Sequence, residues 1–200
     1  MKLFLCGIDE AGRGPLAGPV CAAAVILGDN FPCDLLNDSK KLSAVKREEL
    51  RQRICSGALA WGLGWASHTE IDNINILQAS LLAMKRAFEE MTKKAVLERA
   101  LPAEADISVI VDGTYIPDIS FTPKPLVNVQ AMVKADAKIH EVMAASILAK
   151  TARDTHMDEM ALLYPQYGYE KHKGYPTKAH RELIRKYGPS PIQRVSFRVR

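Results

Sequence analysis

The sequence has no Cys-x-x-Cys pair, no His-Glu-x-x-His run, no internal repeat and no apolar stretch able to cross a bilayer. Each absence removes a class of protein. Cys6, Cys21, Cys33 and Cys55 are spaced neither for zinc nor as a disulfide framework, and three of them fall in or beside apolar runs, so buried reduced thiols in a reducing compartment are expected. The longest apolar run, Ala17–Leu27, is interrupted by Gly18 and Pro19. Leu3–Ile8 is too short for a signal-peptide core and runs straight into Asp9-Glu10. A cytoplasmic protein without membrane contact follows as the expectation.

Nor is there a large surplus of either charge: 27 Lys and Arg against 23 Asp and Glu leave +4, which suits a polyanionic partner without singling one out. With 48% apolar and 25% charged residues, the composition excludes a disordered, collagen-like or disulfide-stapled chain. Two hundred residues without a linker-like tract predict one domain spanning 1–200 with a sizeable core.

The pattern of apolar residues predicts an α/β domain with a mixed sheet. Leu3–Asp9 and Val20–Leu27 read as neighbouring strands, and Leu59–Ser67 as a third. Ser43 caps a charged helix that ends near Gly57. Residues 70–97 carry Ile74, Leu77, Leu81, Met84, Phe88 and Met91 on one helical side, with Lys85, Glu89 and Lys93 opposite. Ile107–Val111 and Val129–Val133 read as strands around a proline-bearing loop, and Ala137–Tyr164 and Thr177–Tyr187 as helices.

Chemistry concentrates at strand ends. Asp9 and Glu10 close one apolar strand, and two adjacent carboxylates there repel unless exposed or neutralised by a cation. Asp112 closes another strand, although Asp112-Gly113 also reads as a hairpin turn. Asp136 precedes the alanine-rich helix, where an aspartate also serves as an ordinary cap. Carboxylates without a His or Cys cluster favour Mg²⁺ or Mn²⁺ over zinc, and two such ions are suited to phosphodiester hydrolysis.

Gly12-Arg13-Gly14-Pro15-Leu16-Ala17 has the letters of the dinucleotide fingerprint, but Pro15, Gly18 and Pro19 lead into a strand where that fingerprint requires a helix. No nucleotide cofactor is therefore expected. The turn's backbone can instead approach a ligand closely, with Arg13 reaching toward a phosphate. Lys40 and Lys41 add a basic loop. Lys171, Lys173 and Lys178 surround Tyr175, able to pack on a sugar or base. His172 and His180 form no close metal-binding pair and read as surface residues. Either a metal-dependent nuclease or a non-catalytic nucleic-acid binder uses such features, and the second leaves the acidic residues unexplained.

Six stretches in order, Gly7–Val20, Asn37–Ser43, Val111–Gly113, Ala144–Lys150, Tyr164–Tyr167 and His172–Tyr175, closely resemble bacterial ribonuclease HII, the type 2 RNase H family. The resemblance implies an RNase H-like fold, a five-stranded mixed sheet flanked by helices. It implies a metal-dependent endoribonuclease acting on RNA–DNA hybrids or on duplex DNA containing ribonucleotides, cutting 5′ of the ribonucleotide to leave 3′-hydroxyl and 5′-phosphate ends. It makes Asp9, Glu10, Asp112 and Asp136 the catalytic acids and ligands of two divalent cations, Mn²⁺ or Mg²⁺. The Gly12-Arg13-Gly14 turn would contact the ribose 2′-OH, Tyr175 would support recognition of the junction, and Lys40 and Lys150 resemble phosphate-contacting positions. The chain departs from the family in having Ala135, not glycine, before Asp136, and in a longer 115–128 loop. It ends at Arg200 without room for the C-terminal helical region of some members, and a monomer is expected.

Overall fold

The computed structural model describes residues 3–36, 43–102, 105–120 and 128–199. Five strands, β1 (Leu3–Ala11), β2 (Val20–Leu27), β3 (Ala58–Ala66), β4 (Asp106–Asp112) and β5 (Asn128–Met132), form one sheet in the order β3-β2-β1-β4-β5. β1 pairs antiparallel with β2, and β2 antiparallel with β3. β4 lies parallel to β1, and β5 parallel to β4. Asp112-Gly113 is therefore not a hairpin turn: Gly113, at φ +113°, sends the chain out of the sheet before it returns as a parallel strand.

The helices are α1 (Ala44–Gly57), α2 (His68–Leu97), α3 (His140–Leu163), α4 (Tyr169–His172) and α5 (Lys178–Tyr187), with short 3-10 turns at Cys33–Leu35, Ala135–Ala137 and Pro165–Tyr167. α2 packs on one face of the sheet, burying Cys6, Ile8, Ala22 and Ala24. α1 and α3 cover the other, over Ala23 and Val25. β2 is thus buried on both sides, which explains its small and branched residues.

The predicted apolar stripe of α2 holds for Met84, Phe88 and Met91 but fails at Ile74, which is 38% exposed. The helix breaks at Asn75 (φ +65°), whose side chain accepts the amides of Leu77 and Gln78 and caps the second segment. The stripe beyond the break is made largely of Ala79, Ala83, Ala87 and Ala95. Alanine is used because α2 lies almost on the backbone of β3: a Cβ on Gly62 would sit 2.4 Å from the Met91 nitrogen, and one on Gly64 only 2.1 Å from the Ala83 oxygen. On the opposite face, Gly7 of β1 gives α3 the same close approach, a Cβ there lying 2.2 Å from the Glu141 carbonyl carbon. Cys6 and Cys21 are buried free thiols as expected, while Cys33 and Cys55 are free and half-buried.

Candidate metal centre and substrate cleft

Strand parity places the first two acids. Asp9 shares a face of β1 with Gly7, the residue α3 presses against, and so lies under α3, hydrogen-bonded to Ser146 one turn on from Val142. Ile8 is in register with Val111 of β4, which sets Asp112 beside Asp9 at the same sheet end. The third acid arrives by a turn. After β5, Lys134 adopts a left-handed conformation (φ +60°), and Asp112 Oδ1 accepts the Ala135 amide at 2.7 Å and the Asp136 amide at 3.5 Å. Asp136 sits in that single 3-10 turn and does not cap α3, which starts at His140 with Ile139 at its cap position.

One carboxylate oxygen from each of Asp9, Asp112 and Asp136 lies within 4.8 Å of the others. Oxygens bound to one Mg²⁺ at about 2.1 Å stand about 3 to 4 Å apart, so the donor set fits a hard divalent cation. Electrostatics point the same way. Burial, then the neighbouring Glu10 charge, push the Asp9 carboxyl well above its usual range, partly offset by Ser146. Negative charge is thus concentrated where the surroundings oppose it, the condition a cation relieves.

Glu10 points elsewhere. Its carboxylate stands outside the triad, pairs with Arg13 at 3.3 Å, and is raised by burial despite that partner. Its Oε2 is buried without a hydrogen bond among the described residues. Both acids nevertheless face one cavity of about 340 Å³, which Gly12-Arg13-Gly14, Lys150 and Tyr175 also line. Lys150 comes from the turn of α3 after Ser146, holds Asp154 at 2.8 Å and stands 5.6 Å from the Tyr175 ring centre. A Cβ on Gly14 would touch the same ring at 3.7 Å, ordinary contact, whereas Gly12 (φ +101°) has no such latitude. Of the site residues expected from sequence, Lys40 lies outside the described residues.

The histidines are not surface residues. His172 and His180 are 8% and 0% exposed, and their rings stack at 4.3 Å. His172 accepts the Gly174 amide at Nδ1 and so donates from Nε2 to the Tyr167 carbonyl, while His180 Nδ1 donates to the carbonyl of Tyr175. The pair therefore braces the loop that presents Tyr175. Burial outweighs the Tyr175 carbonyl and lowers the His180 pKa to about 4. A depressed histidine gives stability that is full above its ordinary 6.5 and lost as pH falls through about 4. His180→Asn keeps the donor but cannot titrate. The stability gap between wild type and this variant should shrink by about 2 kcal/mol between about pH 7.5 and about pH 5, measured by denaturant unfolding; an unchanged gap contradicts the assignment.

Two more residues escaped sequence reading. Arg153 (1% exposed) and Arg194 (0%) are buried and give their guanidinium hydrogens to backbone carbonyls of the glycine turn and its neighbours. Arg153 carried a usable signal, since Ser146, Lys150, Arg153 and Met157 share one helical side. Arg194 carried none, standing in a short irregular segment near the end of the chain.

Three aspartates gathered near the ends of parallel strands, two of them lining a cleft shared with a glycine turn and a lysine, form a carboxylate site suited to metal-dependent hydrolysis. The chain matches the profile of the family described as Ribonuclease HII over residues 6–200. It is 57% identical over 202 residues to ribonuclease HII of Treponema denticola, across 98% of this chain and 99% of that one. Its fold is similar to the crystal structure of ribonuclease H2 from Pyrococcus horikoshii OT3 (TM-score 0.71, 24% identity, 98% and 94% of the two chains). It is similar also to Bst-RNase HIII in complex with Mn²⁺ (TM-score 0.71, 18% identity, 98% and 67%). The chain belongs to the ribonuclease HII family and is an endonuclease of the ribonuclease H type, with metal-dependent hydrolysis of RNA in RNA–DNA hybrids as its activity.

Proposed function

We propose that this chain, as a monomeric single catalytic domain, also cuts duplex DNA on the 5′ side of an embedded ribonucleotide, leaving a 3′-hydroxyl and a 5′-phosphate. We place it in the cytoplasm, in keeping with its free thiols; none of its described helices is long and apolar enough to cross a membrane. The observation that carries the reading is the meeting of Asp9, Asp112 and Asp136 within 4.8 Å, with Asp9 and Asp112 lining a cleft shared with the glycine turn and Tyr175.

Asp9, Asp112 and Asp136 would hold the divalent ions, Mn²⁺ or Mg²⁺ and two in number, with Glu10 joining from the cleft edge. Bound there, such ions supply positive charge to a phosphodiester and acidify water to a usable nucleophile. The chain's own groups do the remaining work. Asp9 is fixed by Ser146 and by the Glu10 amide at 2.7 Å, so its oxygens are held in place before any ligand arrives. Lys150 and Arg13 offer charge to flanking phosphates, and the backbone of Gly12 to Gly14 reads the 2′-OH, the group that separates RNA from DNA whatever the base. Little sequence preference follows.

The test is a duplex with one ribonucleotide beside its all-DNA counterpart, each with and without Mn²⁺. One Mn²⁺-dependent cut, 5′ of the ribonucleotide and absent from the control, is expected. Equal cutting of both duplexes overturns the reading.

A further inference from the structure

The loop from Gly12 to Pro19 is neither helix nor strand apart from one isolated bridge, yet almost every carbonyl in it is taken by an arginine of the chain. Arg194 uses all five of its N–H groups on five carbonyls: Nε on Gly18 (2.8 Å), Nη1 on Arg13 (3.1 Å) and Pro15 (2.8 Å), Nη2 on Gly12 (2.7 Å) and Pro19 (3.1 Å). Its own amide takes the Leu16 carbonyl at 2.8 Å. Arg153 takes Ala17 and shares Pro19, and ties both to the Lys173 carbonyl beside the Tyr175 loop. Among the described residues, Gly14 is the one member of Gly12–Pro19 whose carbonyl accepts nothing.

A guanidinium buried among carbonyls, with no carboxylate bonded to it, is a costly device. Burial, then the nearby Arg153 charge, bring the Arg194 pKa down to about 9. What the device achieves follows from peptide geometry. In a trans peptide the N–H points opposite to the C=O. With the Gly12 and Arg13 carbonyls turned onto Arg194, the amides of Arg13 and Gly14 point away from it, on the side where the turn lines the cleft. Neither amide has a partner among the described residues. Two successive free amides and one free carbonyl, held rigid, form a template for a sugar hydroxyl and its phosphate.

We propose that Arg194 is a positioning residue for ribose discrimination: it touches no substrate but fixes the peptide planes of the Gly12-Arg13-Gly14 turn that reads the sugar. The proposal rests on the reading of the cleft given above. Phe197, whose ring lies 5.1 Å from the Arg194 guanidinium, backs the arginine from behind and provides a milder handle.

The experiment measures affinity for a one-ribonucleotide duplex relative to its all-DNA counterpart, with Ca²⁺ replacing the catalytic metal, alongside Mn²⁺ binding by calorimetry. Arg194→Lys keeps the charge but cannot spread five hydrogen bonds from one nitrogen. The affinity ratio should fall about tenfold or more in Arg194→Lys and about threefold in Phe197→Leu, with Mn²⁺ affinity unchanged in both. A wild-type ratio in folded Arg194→Lys overturns the proposal, as does a parallel loss of Mn²⁺ binding, which marks general collapse. Should Arg194→Lys not fold, Phe197→Leu decides, and an unchanged ratio there is equally fatal. A wild type that binds both duplexes alike overturns the underlying reading itself, and the positioning role with it.

Discussion

Replacing Asp9 by Asn should lower Mn²⁺-dependent cleavage by about a thousandfold while the metal-free protein becomes no less stable, and with rising pH increasingly more stable, than wild type. The two halves of that result have one cause. Asp9 is 5% exposed and presses its charge against Glu10 and Asp112, so its carboxyl is raised well above the usual range. A raised carboxylate gives stability that is complete below its unfolded value and lost as pH rises through the folded one. The asparagine escapes that loss, so the gap in melting temperature between variant and wild type, measured in chelator, should widen with rising pH. Added Mn²⁺ should reverse the order, stabilising wild type alone. A residue kept only for the fold predicts the opposite: lower stability and retained cleavage.

The second large effect belongs to the turn. Gly12→Ala places a methyl in a conformation (φ +101°) that side chains rarely adopt, and 2.1 Å from the Arg153 Nε. Arg153 cannot yield without breaking its bonds to Pro19, Ala17 and Lys173. The turn must therefore shift, and a shift of about 1 Å at a substrate-reading turn is worth about a hundredfold in rate. Steady-state cleavage of the one-ribonucleotide duplex should show that loss, and Mn²⁺ calorimetry should show no change, because the turn supplies no carboxylate. Gly14→Ala, whose methyl meets only the Tyr175 ring at 3.7 Å, should cost far less.

Asp9 and Asp112 were legible in the sequence because each closes an apolar strand, and parallel pairing brings such ends together. The sheet was legible for the same reason, β1 and β4 being short runs of buried residues. Asp136 was harder. Its approach depends on the left-handed Lys134 and on two amides reaching Asp112, geometry that no periodicity carries. Ala135, where the resemblance leads one to expect glycine, contributes its amide to the 2.7 Å bond with Asp112. Glu10 was placed among the metal ligands by the family resemblance; in the structure its carboxylate pairs with Arg13 and lines the same cleft as Asp9 and Asp112. The helical stripe was misjudged at Ile74 because Asn75 interrupts the period, and its alanines went unnamed because their part depends on the close approach of β3 glycines, which only the fold brings about. His172 and His180 looked like surface residues because polar side chains usually are; both are buried, His172 bonding the Tyr167 carbonyl and His180 giving Nδ1 to the Tyr175 carbonyl.

Anomalous scattering at the manganese edge, from crystals soaked in Mn²⁺, tests the central claim most directly. The account predicts strong density among the carboxylates of Asp9, Asp112 and Asp136, on the cleft side facing Gly12 to Gly14. Manganese bound elsewhere, with those three carboxylates left unliganded at saturating metal, would contradict it.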